Sequence, residues 1–187
     1  MDYLKLNNID EYIGYAIRDT EGYGIDGGVK YGGTTIVFFP TKKEADIYGK
    51  LFSIGDRKKI YATTIVDYVA GKILSMDIHN WDGSKIDDNV LKDKTVIMLF
   101  DRLDSDRLMT YAAKRLIELG AGCVYVFARS FDEDVLDDAD YGIKKNLADK
   151  TIGEVFTCDS TFFGQYDGIT FIDPSYDKDL FDYGTDN

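Results

Sequence analysis

A chain of 187 residues, 44% hydrophobic and 30% charged, is long enough to bury one good core, with room for a small appended subdomain. Its formal charge of −12 repels phosphate backbones and argues against direct nucleic-acid binding. No apolar run reaches membrane-spanning length, and Met1-Asp-Tyr-Leu-Lys5 lacks a basic region followed by an apolar core, so neither a membrane span nor secretion is expected.

In chain order, residues 11–18 alternate weakly and read as a strand. The Gly-rich segment 22–33 comes next, with a formal G-x-G-x-x-G at Gly22, Gly24 and Gly27. That fingerprint requires a helix directly after it, whose N-terminus receives a pyrophosphate. The segment runs instead into Thr34-Thr-Ile-Val-Phe-Phe39, a β-branched and aromatic strand, so the glycines are better read as shaping a hairpin or loop.

Pro40 ends that strand, and Thr41-Lys-Lys-Glu44 is a capping box. It predicts a helix to about residue 53, with Ala45, Tyr48, Leu51 and Phe52 on one face. Residues 58–66 read as a strand and 66–74 as a short helix. Residues 76–93 are polar and turn-rich, and read as a connection that carries the only histidine, His79, and the only tryptophan, Trp81. A lone loop histidine without paired cysteines does not make a zinc site.

Residues 94–129 organise the chain. Val96-Ile-Met-Leu-Phe100 is a short, continuously apolar strand of the kind buried on both faces in a parallel sheet. From Leu108 to Leu119 the apolar residues keep the helical period; Asp104 or Ser105 can cap that helix and Gly120 can close it. Cys123 to Ala128 is a second buried strand, completing a βαβ unit. Gly120, Cys123, Val124, Val126, Val96, Ile97 and Leu99 are the expected core.

Residues 131–187 carry fifteen acids against four bases, so nearly all of the −12 lies in the last third. Asp132, Glu133, Asp134, Asp137, Asp138 and Asp140 head that region, without the spacing of a calcium loop. Residues 141–148 read as a helix, and 154–158 and 168–173 as short strands. Pro174 begins an acidic tail, 175–187, with Leu180, Phe181 and Tyr183 available to dock it. Cys123 and Cys158 both fall in predicted strands, which suits a reduced pair in a cytoplasmic protein.

Residues 94–174 resemble the distal half of a type I phosphoribosyltransferase core. Leu119-Gly-Ala-Gly-Cys-Val-Tyr-Val-Phe-Ala128 fits the helix end and the strand after it. Gly153-Glu-Val-Phe-Thr-Cys-Asp159 and Ile169-Thr-Phe-Ile-Asp173 look like the closing strands of phosphoribosyl pyrophosphate synthetases. In that family the central strand ends in two acids, and the loop after it carries Thr-Gly-x-Thr. Here only Asp101 matches, because Phe100 stands in the first acid's place. The phosphate loop would be Asp104-Ser105-Asp106-Arg107-Leu108, with Ser105 replacing threonine and Asp106 standing where glycine lets amides approach the phosphate.

The pattern as a whole is that of a single α/β domain over 1–187, and the resemblance implies a mostly parallel, phosphoribosyltransferase-like (Rossmann-like) central sheet flanked by helices. Residues 1–55 would be a small N-terminal α+β lobe. With the phosphate motif degraded, the expected function is non-catalytic: protein–protein binding through the acidic surface 132–140 to a basic partner. One form of it is a phage counter-defence inhibitor that occupies a nucleic-acid-binding protein. The alternative is an enzyme or sensor binding a nucleotide or sugar phosphate at Asp101, Arg102, Asp104, Ser105, Asp106 and Arg107, with magnesium bridging the acids to phosphate. Against it, Asp104 and Asp106 can simply cap and charge a helix.

Overall fold

The computed structural model describes residues 9–21, 35–51, 54–159 and 166–172. Its elements are α1 (Ile9–Thr20), β1 (Ile36–Phe39), α2 (Lys42–Tyr48), β2 (Lys59–Asp67), β3 (Lys72–Asn80), β4 (Thr95–Leu103), α3 (Asp106–Glu118), β5 (Cys123–Phe131), α4 (Glu133–Asp137), α5 (Ile143–Ala148), β6 (Val155–Thr157) and β7 (Ile169–Phe171). The strands form one sheet in the order β3-β2-β1-β4-β5-β6-β7. Every neighbouring pair is parallel except β2 and β3. No helix among the described residues is long and apolar enough to cross a membrane.

The two-residue period of β4 divides the core. Val96, Met98 and Phe100 pack with Met109, Ala112, Ala113 and Leu116 of α3 on one face. Ile97 and Leu99 pack with Tyr12, Ile13, Ala16 and Ile17 of α1 on the other. From Val96 to Phe100 the strand is therefore apolar at every position, as the sequence suggests. Val124 and Val126 are buried with it, whereas Gly120 and Cys123 are only half-buried, because they lie where the chain enters β5 from the rim.

The segment 11–18 is a helix, not the expected strand. Ile9, Tyr12, Ile13, Ala16 and Ile17 recur at helical spacing, Asp10 and Glu11 sit in the first turn, and Arg18 sits in the last. Of the stretch 1–55, β1 is a central strand and α1 covers the sheet, so its described part shares the common core rather than forming a separate lobe. α2 begins at the capping box, where Thr41 Oγ1 accepts from Glu44 N at 3.2 Å. It stops at Tyr48, short of residue 53, and a Cβ on Gly49 would stand 2.4 Å from Ala45 O and 3.3 Å from the Trp81 ring.

The short helix expected at 66–74 is instead the turn of a hairpin. Asp67 Oδ1 accepts from Val69 N at 3.0 Å and Ala70 N at 3.1 Å, and Gly71 takes φ +63°, which together reverse the chain. The connection expected from residue 76 begins only after Asn80, because Met76 and Ile78 of β3 enter the core. His79 is thus a strand residue: Nε2 lies 2.9 Å from Thr63 Oγ1, and its ring stacks on Tyr61. The helix of the 141–148 segment and the two closing strands form as expected, though shorter.

The Gly-rich segment 22–33 and the tail 175–187 lie outside the described residues. The ends of the former are held together: Thr35 N donates to Glu21 Oε1 at 3.4 Å, and Arg57 grips the Glu21 carboxylate with Nε at 2.6 Å and Nη2 at 2.9 Å. The segment lies after a helix and before a strand, which is the reverse of a phosphate-binding turn.

Candidate ligand site at the carboxyl ends of the strands

Open α/β sheets bind ligands beyond the carboxyl ends of their parallel strands. Here β1 leads at that edge into α2, so Glu44 and Tyr48 stand one turn apart beside the end of β4. Asp101 shares the face of Ile97 and Leu99, and Arg129 shares the face of Phe127. The odd-numbered positions of two paired strands therefore deliver a carboxylate and a guanidinium to the same point. Arg129 Nε donates to Asp101 Oδ1 at 2.5 Å, with the side chains 23% and 35% exposed.

This ion pair sets the local electrostatics. The bond it donates to Asp101 holds the Arg129 guanidinium above its usual range despite partial burial. Burial first, then the Asp101 charge and its hydrogen bond, pushes the Tyr48 phenol up to about 12. Glu44 rises to about 7, mainly through burial; its bond to Thr41 opposes the shift, and the charges of Asp101 and Asp104 reinforce it. Near neutral pH this corner holds a proton that a typical surface glutamate would have lost.

The expected phosphate loop is closed by its own residues. β4 and β5 stay paired past Asp101, through Arg102 with Ser130 and Leu103 with Phe131, leaving only Asp104 and Ser105 before α3. Ser105 is the cap: its Oγ accepts from Leu108 N at 3.2 Å and its carbonyl accepts from Met109 N at 3.2 Å. Asp106 Oδ1 accepts from Arg107 N at 2.8 Å. Amides that would cradle a phosphate are thus already bonded, and a carboxylate sits among them. Burial raises the Asp106 pKa, its bond from Arg107 N lowers it, and Asp138 adds to the rise.

The six residues expected as one site part company. Asp101 turns to Arg129 and Tyr48, and Arg102 pairs with Asp132. Arg107 donates to Gly71 O at 2.6 Å and lies over the Tyr141 ring. Among the described residues no group of three acidic, histidine or cysteine side chains is arranged to hold a metal ion; of the acids expected to bridge magnesium, Asp101 Oδ1 accepts from Arg129 and Asp106 Oδ1 from Arg107 N.

The acidic segment divides as well. Asp132 pairs with Arg102, and Asp137 pairs with Lys144 at 2.7 Å. Asp138 Oδ1 accepts from Tyr141 N and Asp140 N, bonds that hold its carboxyl below the usual range. Glu133, Asp134 and Asp140 are exposed, with no ion-pair partner among the described residues. Glu44, Tyr48 and Arg129 do not stand out in the sequence. Their signal is positional, since the first turn of a helix after a parallel strand, and the last residues of such a strand, reach this edge.

Neither a protein-family model nor a curated protein matches the chain. Solved structures do. Phosphoribosylpyrophosphate synthetase from Mycobacterium smegmatis superposes with TM-score 0.53 at 20% identity, over 97% of this chain and 51% of its own. This chain therefore spans about half the length of that protein. A purine phosphoribosyltransferase from Pyrococcus horikoshii gives 0.47 at 14% identity, over 74% of this chain and 82% of its own. A hypoxanthine-guanine phosphoribosyltransferase from Bacillus anthracis gives 0.47 at 16%, over 76% and 77%. The mostly parallel seven-stranded sheet and its flanking helices are a type I phosphoribosyltransferase-like fold.

Proposed function

We propose that this chain is a non-catalytic phosphoribosyltransferase-like protein that works by binding a basic protein surface through its acidic C-terminal third. The observation that carries the first half is the self-capped start of α3, where Ser105 and Asp106 take the amide donors of Leu108 and Arg107. Phe100 supports it, since that side chain is buried against α3 where the resemblance calls for an acid. The second half rests on the exposed carboxylates of Glu133, Asp134 and Asp140, in a region holding nearly all of the net charge. Such a face attracts a partner whose own basic surface meets nucleic acid, and covering that surface would make the role inhibitory. A cytoplasmic setting, in which Cys123 and Cys158 stay reduced, goes with this reading.

Calorimetric titration with phosphoribosyl pyrophosphate and magnesium should show no binding. Micromolar binding that Asp101→Asn abolishes would overturn the non-catalytic reading. Affinity purification from the native host should recover one stoichiometric basic partner. The triple variant Glu133→Gln, Asp134→Asn, Asp140→Asn should bind it more weakly and with a flatter salt dependence. Unchanged affinity and salt slope would reduce this face to a solubilising one.

A further inference from the structure

Arg107, Thr110, Tyr111 and Lys114 recur at helical spacing along one side of α3, and a groove of about 250 Å³ runs between them and the β2–β3 turn. Its rim carries Lys72, Arg107 and Lys114, and its walls include Ile73, Tyr111 and Tyr141. Three cations are gathered here on a chain of charge −12, and none of them has a carboxylate within ion-pair distance among the described residues. Asp106 and Asp138 are near enough to Arg107 to feel its charge, but Asp106 bonds the Arg107 amide and Asp138 bonds the turn at Tyr141. Unpaired cations above apolar and aromatic walls suit a strip of chain that is acidic and also carries apolar side chains.

The groove is preorganised. Arg107 is fixed by its 2.6 Å bond to Gly71 O and by the Tyr141 ring 5.1 Å away. The wall behind is set by a buried network: Asn146 Nδ2 donates to Thr110 Oγ1, Tyr141 O and Gly142 O at 2.8–2.9 Å, and Thr110 Oγ1 donates to Tyr141 O at 2.9 Å. Fixed donors and a fixed wall reduce the ordering that an occupant must impose.

The chain itself carries such a strip. Residues 175–187 hold four aspartates (177, 179, 182 and 186) against the single Lys178, with Leu180, Phe181 and Tyr183 among them. The topology roots this strip at the right edge of the sheet. β7 runs parallel to β6, β5, β4, β1 and β2, so Ile172 leaves the sheet at the same edge as the turn after β2 and the start of α3. From β7 to β3 is six strand spacings, about 29 Å. The fifteen residues after Ile172 can span about 50 Å, which is ample.

We propose that this groove holds the chain's own segment 175–187, with its carboxylates among Lys72, Arg107 and Lys114 and its Leu180 and Phe181 against Ile73 and Tyr111. Tethering sets the effective concentration of the segment at the groove near the millimolar range, so weak contacts are enough to seat it. The contact neutralises the cations that would otherwise attract other anions, and leaves Glu133, Asp134 and Asp140 outward for a partner.

Zero-length carbodiimide coupling of the full chain, read by peptide mass spectrometry on the monomer fraction, tests this. Amide links should join Lys72 or Lys114 to Asp177, Asp179 or Asp182, and Leu180→Ser/Phe181→Ser should make them scarce. That variant, with its groove vacated, should bind an added peptide of residues 175–187 about tenfold more tightly than the unaltered chain does. Adding Lys72→Gln and Lys114→Gln should remove the gain; both lysines are exposed, so circular dichroism should show the fold unchanged. No link to either lysine, or equal peptide binding by the unaltered chain and the Leu180/Phe181 variant, would overturn the proposal. Links confined to a cross-linked dimer would overturn it too, and would give the groove to a second copy. Glu133→Gln/Asp134→Asn/Asp140→Asn should leave the links in place, so this contact and the partner-binding face can fail separately.

Discussion

The β4–α3–β5 unit and the β2–β3 hairpin belong to one sheet, yet burial behaves differently in each. Along β4, residues 96–100 are enclosed on both faces from end to end. Along the hairpin, burial decays from root to tip: Ile60, Ala62, Met76 and Ile78 are in the core, whereas Ile65 and Leu74 are exposed and Tyr68 and Val69 are 91% and 100% exposed. The first region spends its apolar residues on holding the fold together. The second is held only at its root, so its outer half is free to carry surface for recognition.

The sharpest test of this contrast is Val126→Asp, which places an unpaired charge at a fully buried position of β5. The domain should lose its cooperative thermal transition, and a near-wild-type melting midpoint would remove β5 from the core. At the hairpin root, Ile78→Ala should cost roughly 2–5 kcal/mol in denaturant unfolding, as buried large-to-small substitutions do. A loss no greater than that of a surface change would mean that the root is as loose as the tip.

A smaller effect is expected at the edge of α2. Glu44 is raised from its ordinary 4.5 to about 7 in the folded chain, so between those values the folded state keeps a proton that the unfolded state has lost. Stability contributed by this group is therefore present below about pH 4.5 and declines as pH rises to about 7. Glu44→Gln should flatten that decline in midpoints measured across the window, and an unchanged slope would place the proton elsewhere. Smallest of all, Ile65→Lys at the outer hairpin should change stability by no more than roughly 0.5 kcal/mol. A large loss there would show that something covers the tip.

The same contrast explains what can be read from the sequence. The βαβ unit is legible because strands buried on both faces are continuously apolar and the helix between them keeps one period. The hairpin is harder to read, because Asp67 and Gly71 mimic punctuation inside a helix, although Leu74, Met76 and Ile78 alternate with Ser75, Asp77 and His79 as a half-buried strand does. Residues 11–18 mislead differently, since a window opening at residue 11 misses Ile9 and shows only Tyr12-Ile13 and Tyr15-Ala-Ile17. At the candidate site Asp101 is visible as the last acid of an apolar strand. Arg129, Tyr48 and Glu44 reach it only through the parallel pairing of β4 with β1 and β5, a relation between distant segments that local periodicity does not encode.

The clasp of Glu21, Thr35 and Arg57 has a consequence for how the chain tolerates change in length. It joins both ends of residues 22–34 at one point, with the Glu21 side chain 1% exposed. Closing a loop between fixed ends grows only logarithmically costly, about 0.6 kcal/mol for each doubling of its residues. Insertions between Gly22 and Thr34 should therefore leave the sheet intact while the clasp stands.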